Sequence, residues 1–312
     1  MSTDASGVYI ISVTPFLDDG ALDLPSTDRL VDFYLEQGVN GITILGMMGE
    51  APKLSAEESM TFARRVLRRL DGRIPTIVGV SAPGLAPMRE LAVAVMDMGA
   101  AGVMVAPGAG IRSDDGYYGY FAQVFATLGP DLPVVLQDYP QSTGVYLPVP
   151  VFSRLVTDFP QLVMLKHEDC PGLQKLSTIR KLEEQGLQRR VSILVGNGGI
   201  YYPQELARGA DGAMTGIAFP EMLVKVYALH KAGRADEAED LFDAYLPYVR
   251  HEQQPAIGLA VRKEVLRRRG AIASAKLRAP GPKLEATDLA ELDRMLERLE
   301  RRLAGLKIRD AA

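Results

Sequence analysis

Short runs of apolar residues alternate along most of the chain with longer stretches whose apolar positions recur every third or fourth residue. The runs predict strands and the longer stretches predict helices. Strands are expected over 8–13, 41–45, 74–80, 102–106, 133–137, 162–166, 191–195 and 212–215. Each is followed by a helical pattern, among them 26–37, 55–70, 117–128 and 173–184. Gly38 and Gly99 stop two helices, Pro148 opens another, and Ser55 with Glu58 has the spacing of a capping box. Eight strand–helix units in this order imply right-handed parallel crossovers and an α/β fold, a closed (β/α)8 TIM barrel over residues 1–232. An open doubly wound sheet is the alternative, but no Gly-x-Gly-x-x-Gly follows the first strand. Only helices are expected afterwards, over 236–249, 257–269 and 286–303, so residues 233–312 form a C-terminal helical extension. In it Leu289, Leu292, Leu296, Leu299 and Leu303 make a helical stripe, which predicts packing on the barrel or on a neighbouring subunit.

Composition narrows the function classes. The chain has 312 residues, 47% hydrophobic and 24% charged, enough for a large core. A net charge of −4 argues against a nucleic-acid partner. No apolar run reaches membrane-spanning length, and the N-terminus lacks the basic and apolar segments of a signal peptide, so no membrane partner and a cytoplasmic location are expected. The single cysteine, Cys170, excludes an internal disulfide framework and reads as a small buried hydrophobe. Arg64, Arg65, Arg68 and Arg69 read as a solvated helix face, as do Arg267 to Arg269 and Arg298 to Arg302.

The candidate chemistry lies at one strand end. The run 162–165 leads straight into Lys166, then His167, Glu168 and Asp169. A strand buried on both faces would carry that lysine out of a dry wall into the C-terminal mouth, where barrel sites are built. Burial disfavours an ammonium and frees the neutral amine as a nucleophile. A lysine that snorkels to water is the ordinary alternative. The strand ends also collect Thr14, 46–50, Ser81, Pro107, 137–139, Gly196 and Thr215, and Lys166 is the one lysine among them. His167, His230 and His251 are scattered, no metal-ligand spacing occurs, and no phosphate-binding loop is present. A covalent amine mechanism fits this set: the lysine condenses with a ketone, and the iminium stabilises an adjacent carbanion.

The segments Ser12-Val13-Thr14-Pro15-Phe16, Gly46-Met47-Met48-Gly49-Glu50, Asp138-Tyr139-Pro140-Gln141-Ser142-Thr143-Gly144 and the Lys166 strand, in this order and spacing, resemble the dihydrodipicolinate synthase / N-acetylneuraminate lyase family. The resemblance covers nearly the whole chain. It implies a (β/α)8 barrel and a class I Schiff-base lyase acting on pyruvate or a related 2-oxo acid, with an aldehyde as a further partner. It also implies a homo-oligomer, dimer or tetramer, that uses no cofactor. Lys166 is then the Schiff-base lysine. With the strand-end rule, the resemblance puts Met47, Met48, Gly49, Gln137, Asp138, Gly196 and Thr215 around the substrate, and Tyr139 in catalysis.

Departures from the family pattern sit at the same site. Two hydroxyl residues expected in the loop before Gly49 are Met47 and Met48, which leaves only backbone N–H groups for a carboxylate. The tyrosine expected at the fifth strand end is Gln137, whose amide is no proton shuttle. Tyr139, two residues on, shares its face if the pleat persists; Asp138 and Glu168 are alternative bases. The arginine of some synthases is Ser142, and the tyrosine after the fourth strand is replaced by Gly108-Ala109-Gly110. These losses predict a poor dihydrodipicolinate synthase with a different second substrate. A catalytically reduced 2-oxo-acid-binding protein on the same barrel is the other function class.

Overall fold

Eight parallel strands close into a barrel in chain order, the first paired with the last. They are β1 (Gly7–Ile11), β2 (Gly41–Ile44), β3 (Thr76–Gly79), β4 (Gly102–Val105), β5 (Val134–Asp138), β6 (Leu162–His167), β7 (Ser192–Val195) and β8 (Gly212–Thr215). This is a computed structural model, and it describes residues 3–306 and 308. The remainder of the N-terminal stretch and of the extension read above lies outside the described residues. Helices α1 (Leu24–Glu36), α2 (Ala56–Leu70), α3 (Leu85–Asp97), α4 (Asp114–Leu128), α5 (Pro140–Thr143), α6 (Val149–Asp158), α7 (Leu173–Glu184), α8 (Tyr202–Ala207) and α9 (Pro220–Lys231) accompany the strands. α10 (Ala235–Glu252), α11 (Gly258–Arg268) and α12 (Ala286–Gly305) form the extension.

Local chemistry explains the boundaries. Asp23 caps α1, its carboxylate accepting from Ser26 N–H at 2.9 Å, so the helix starts ahead of the expected residue 26. The capping box at α2 is present, with Ser55 and Glu58 each accepting the other's backbone N–H. β5 and β6 each run one residue past the apolar run that predicts them. The ladder carries on through polar residues there, Glu168 N–H donating to Asp138 O and Gly196 N–H to His167 O, both at 2.9 Å.

Alternation sorts the side chains into two cores. Tyr9, Ile11, Ile77, Met104, Val135, Met164, Leu194 and Met214 fill the lumen. Val8, Ile10, Ile42, Ile44, Val103, Val105, Leu136 and Leu165 point outward against the helices, in the larger core. The arginines of α2 face solvent, and Arg65 and Arg69 make ion pairs with Asp28 and Asp32 of α1. On α12, Leu292 and Leu299 are buried and Leu296 and Leu303 half-buried. That helix packs along α10 of the same chain.

Candidate active site

β5, β6 and β7 present one layer of side chains to the mouth of the barrel. Gln137 is in register with Lys166, and Lys166 with the lumen residue Leu194. Lys166 therefore rises from the lumen floor and is 4% exposed. Glu168 lies one pleat further on the same face. Its Oε2 is 3.1 Å from Lys166 Nζ, and the Gln137 amide donates to that oxygen at 2.7 Å. The Glu168 carbonyl accepts from Asn197 Nδ2 at 2.8 Å, which fixes the backbone beneath the carboxylate. Gly196 makes room for it: a Cβ there would stand 2.2 Å from Glu168 Cγ. A buried amine, a buried carboxylate and an amide that orients the carboxylate thus share one oxygen. Such a set can form an imine and move a proton beside it.

The β2 loop closes one side of this mouth. Met47–Gly49 form a 3-10 turn, in which Gly49 N–H donates to Gly46 O at 3.0 Å. Thr14 Oγ1 donates to the Gly49 carbonyl at 2.6 Å and so ties the turn to the end of β1. A Cβ on Gly49 would stand 3.3 Å from Ser12 O. Met48 packs on both cores, and Met47 Sδ accepts from Ser142 Oγ at 3.1 Å. Glu50, at φ 56°, turns away and is buried: Oε1 accepts from Lys263 Nζ at 2.6 Å, and Oε2 from Lys53 Nζ at 2.9 Å and Arg278 N–H at 3.0 Å. Arg262 and Lys263 both reach inward from α11 as fully buried charges.

Two residues expected around the substrate stand elsewhere. Asp138 is in register with His167, on the outward face of the strands. Its Oδ2 accepts from Lys175 Nζ of α7 at 2.9 Å. It borders the site in sequence, but alternation turns it away from Lys166. Thr215 pairs with the outward residue Ile10, and its hydroxyl accepts from Gly198 N–H at 2.7 Å. It supports the Asn197–Gly199 turn after β7 rather than facing the mouth.

Tyr139 is half-buried at the start of α5. Burial and the Glu168 carboxylate push its phenol up, and Arg262 pulls it part of the way back. It therefore lies within the field of both charges. A second phenol reaches the end of β4 from α4: Tyr120 OH donates to Ala106 O at 3.3 Å. Gly108 makes its space, because a Cβ there would stand 2.9 Å from the ring. Among the described residues no group of three or more His, Cys, Asp or Glu side chains is placed to hold a metal ion. No described helix is long and apolar enough to cross a membrane.

Comparison with known proteins gives this geometry a context. Residues 4–299 match the model of the dihydrodipicolinate synthetase family. The L-2-keto-3-deoxyarabonate dehydratase of Azospirillum brasilense is 30% identical over 298 residues, 94% of each chain. The 4-hydroxy-tetrahydrodipicolinate synthase of Persephonella marina is 30% identical over 242 residues, 77% of this chain and 80% of that one. Among solved structures, dihydrodipicolinate synthase from Rhodopseudomonas palustris superposes with a TM-score of 0.94 at 49% identity, covering 96% of this chain and 99% of its own. A prophage protein of the dihydrodipicolinic acid synthase family from E. coli K12, in complex with pyruvate, gives 0.84 at 25% identity, covering 95% and 98%. Sequence and structure agree along nearly the whole length, and the chain is a lyase belonging to the dihydrodipicolinate synthetase family.

Proposed function

We propose that this enzyme forms an imine between Lys166 Nζ and the carbonyl carbon of pyruvate or a related 2-oxo acid, and that Glu168 carries the protons. The amine adds to C2 and water leaves, which gives an iminium. Glu168 takes a proton from C3, and the electron pair forms the enamine. If C4 bears a hydroxyl, the enamine expels it with a proton from Glu168. Hydrolysis then frees the lysine, and the balance is the loss of one water. If C4 bears none, the same enamine can instead add to an aldehyde. The observation that carries this reading is the oxygen of Glu168 shared between Lys166 at 3.1 Å and Gln137 at 2.7 Å. A protein that only bound 2-oxo acids would have no need of an amine held against a carboxylate.

The dehydratase relative supports the elimination branch, because that branch needs one substrate and one acid–base group. The synthase branch needs a second carboxylate site. Met47, Met48, Gln137 and Ser142 offer it neither hydroxyl relay nor bidentate cation. Condensation of pyruvate with aspartate semialdehyde is accordingly expected well below the ordinary kcat/KM of about 10⁴ M⁻¹s⁻¹. The β2 turn keeps the amides of its first residues for the substrate carboxylate, since the opening N–H groups of a helical turn have no partner within it. Oligomeric assembly is proposed from the family alone.

Borohydride reduction in the presence of pyruvate tests the imine. One adduct is expected, on the peptide that contains Lys166. Absence of any lysine adduct across several 2-oxo acids would overturn the reading.

A further inference from the structure

Arg262 of α11 is a buried cation that the chemistry above does not use. It is 1% exposed. Its Nε donates to Glu252 Oε1 at 2.6 Å. The other Glu252 oxygen accepts from Ala218 N–H at 3.0 Å and from the Tyr248 hydroxyl at 2.5 Å. That carboxylate has a donor on each oxygen, and it holds the guanidinium in one orientation. At the far end Nη1 is enclosed and has no hydrogen-bond partner among the described residues. A charged donor left in that state is costly, and native proteins seldom keep one without a use.

Gly216 shows where Nη1 stands. A Cβ on Gly216 would be 2.0 Å from Nη1 and 3.1 Å from the Ile11 carbonyl oxygen. Gly216 follows β8 directly and lies two residues past Met214, a lumen residue. Nη1 is therefore at the rim of the mouth, between the ends of β8 and β1. Its charge reaches the Tyr139 phenol, as does that of Glu168. The family-type arginine after β5 is missing, since that place is Ser142. The cation at this mouth comes instead from the C-terminal extension.

We propose that Arg262 Nη1 donates to a hydroxyl oxygen at the far end of a 2-oxo acid held on Lys166, so that the site selects hydroxylated 2-oxo acids over pyruvate. This rests on the imine reading above and adds a substrate class to it. A hydroxyl fits better than a second carboxylate. Glu252 already offsets the guanidinium charge, so a further buried anion at Nη1 would be poorly compensated. Lys166 is nearly as enclosed as Arg262, at 4%. An acid that binds both must part the side chains that enclose each.

Two variants separate this role from simple support of the fold. Arg262→Lys keeps a cation for Glu252 and loses the fork that places Nη1. Gly216→Ala sets a methyl group where Nη1 now lies and leaves Arg262 and Glu252 intact. The readout is the acid concentration that gives half-maximal borohydride adduct on the Lys166 peptide, for pyruvate, 2-oxoglutarate and a 2-oxo-3-deoxypentonate. The native enzyme is expected to half-saturate with the pentonate at a concentration about tenfold lower than with pyruvate, the worth of one hydrogen bond to a charged donor. Both variants should bring that ratio to about one while pyruvate trapping stays within about threefold. An unchanged ratio in variants that still trap pyruvate would overturn the role of Arg262. So would a native preference for 2-oxoglutarate. No adduct from any acid would instead remove the imine and this inference together.

Discussion

Glu168 follows Lys166 by two residues, and two residues is one period of a strand. That alone puts both side chains on one face, and the signal is present in the sequence. What the sequence does not show is that the pleat survives past the apolar run, so Asp138, Tyr139 and Glu168 compete there as bases. The register settles their placement: Glu168 lies against the amine, Tyr139 stands at the rim, and Asp138 turns outward to Lys175. Glu168→Gln is expected to lower kcat by about two to four orders of magnitude. Borohydride adduct should still form on Lys166. Tyr139→Phe is expected to cost less, because the phenol has no hydrogen-bond role at the amine. Steady-state rates beside adduct yields in the two variants check the ranking. If Tyr139→Phe costs more than Glu168→Gln, the proton route runs through the phenol.

At the scale of elements, the strands were legible because each is a short apolar run bounded by glycine, proline or polar residues. The helices were legible from their spacing and caps. α11 was legible as a helix but not as a source of buried charge. Nothing in the run Arg262-Lys263-Glu264 signals burial, and only tertiary packing reveals that the arginine and lysine point inward. Lys263 Nζ donates to Thr14 O at 2.8 Å, to Glu50 Oε1 at 2.6 Å and to Lys276 O at 2.8 Å. One amine thus joins the end of β1, the β2 loop and the segment that leads to α12. Burial pushes it down to about 8, and Glu50 pulls against that shift. Lys263→Met leaves Glu50 buried with fewer donors and is expected to cost about 3–5 kcal/mol. Glu50→Gln with Lys263→Met together should cost less than the two single changes summed. Denaturant unfolding of the three variants measures the coupling, and strict additivity would mean that the pair does not act as a unit.

For the molecule as a whole, closure of the barrel follows from the count of strand–helix units. The polar layer behind β6 could not be foreseen, since it depends on which faces meet. Glu205 of α8 is part of it, with Oε2 enclosed and unpartnered among the described residues. Burial raises its carboxyl from 4.5 to about 7, and His167 moderates the shift. Between those values the folded chain holds a proton that the unfolded chain has released, so stability falls as pH rises. The loss is complete above about pH 7 and amounts to about 3 kcal/mol. Glu205→Gln should therefore raise the melting temperature at pH 8 and leave it nearly unchanged at pH 4.5. An equal effect at both values would show that Glu205 titrates normally. The joining of α11 to the mouth also bears on how the protein is made. As the chain leaves the ribosome, Lys166 and Glu168 emerge well before β8 can complete the ring, and before Arg262 and Lys263 exist to brace its rim. A nascent chain halted after β7 carries Lys166 on an open-edged sheet, so the enclosed mouth of the barrel is completed late in synthesis, with the extension.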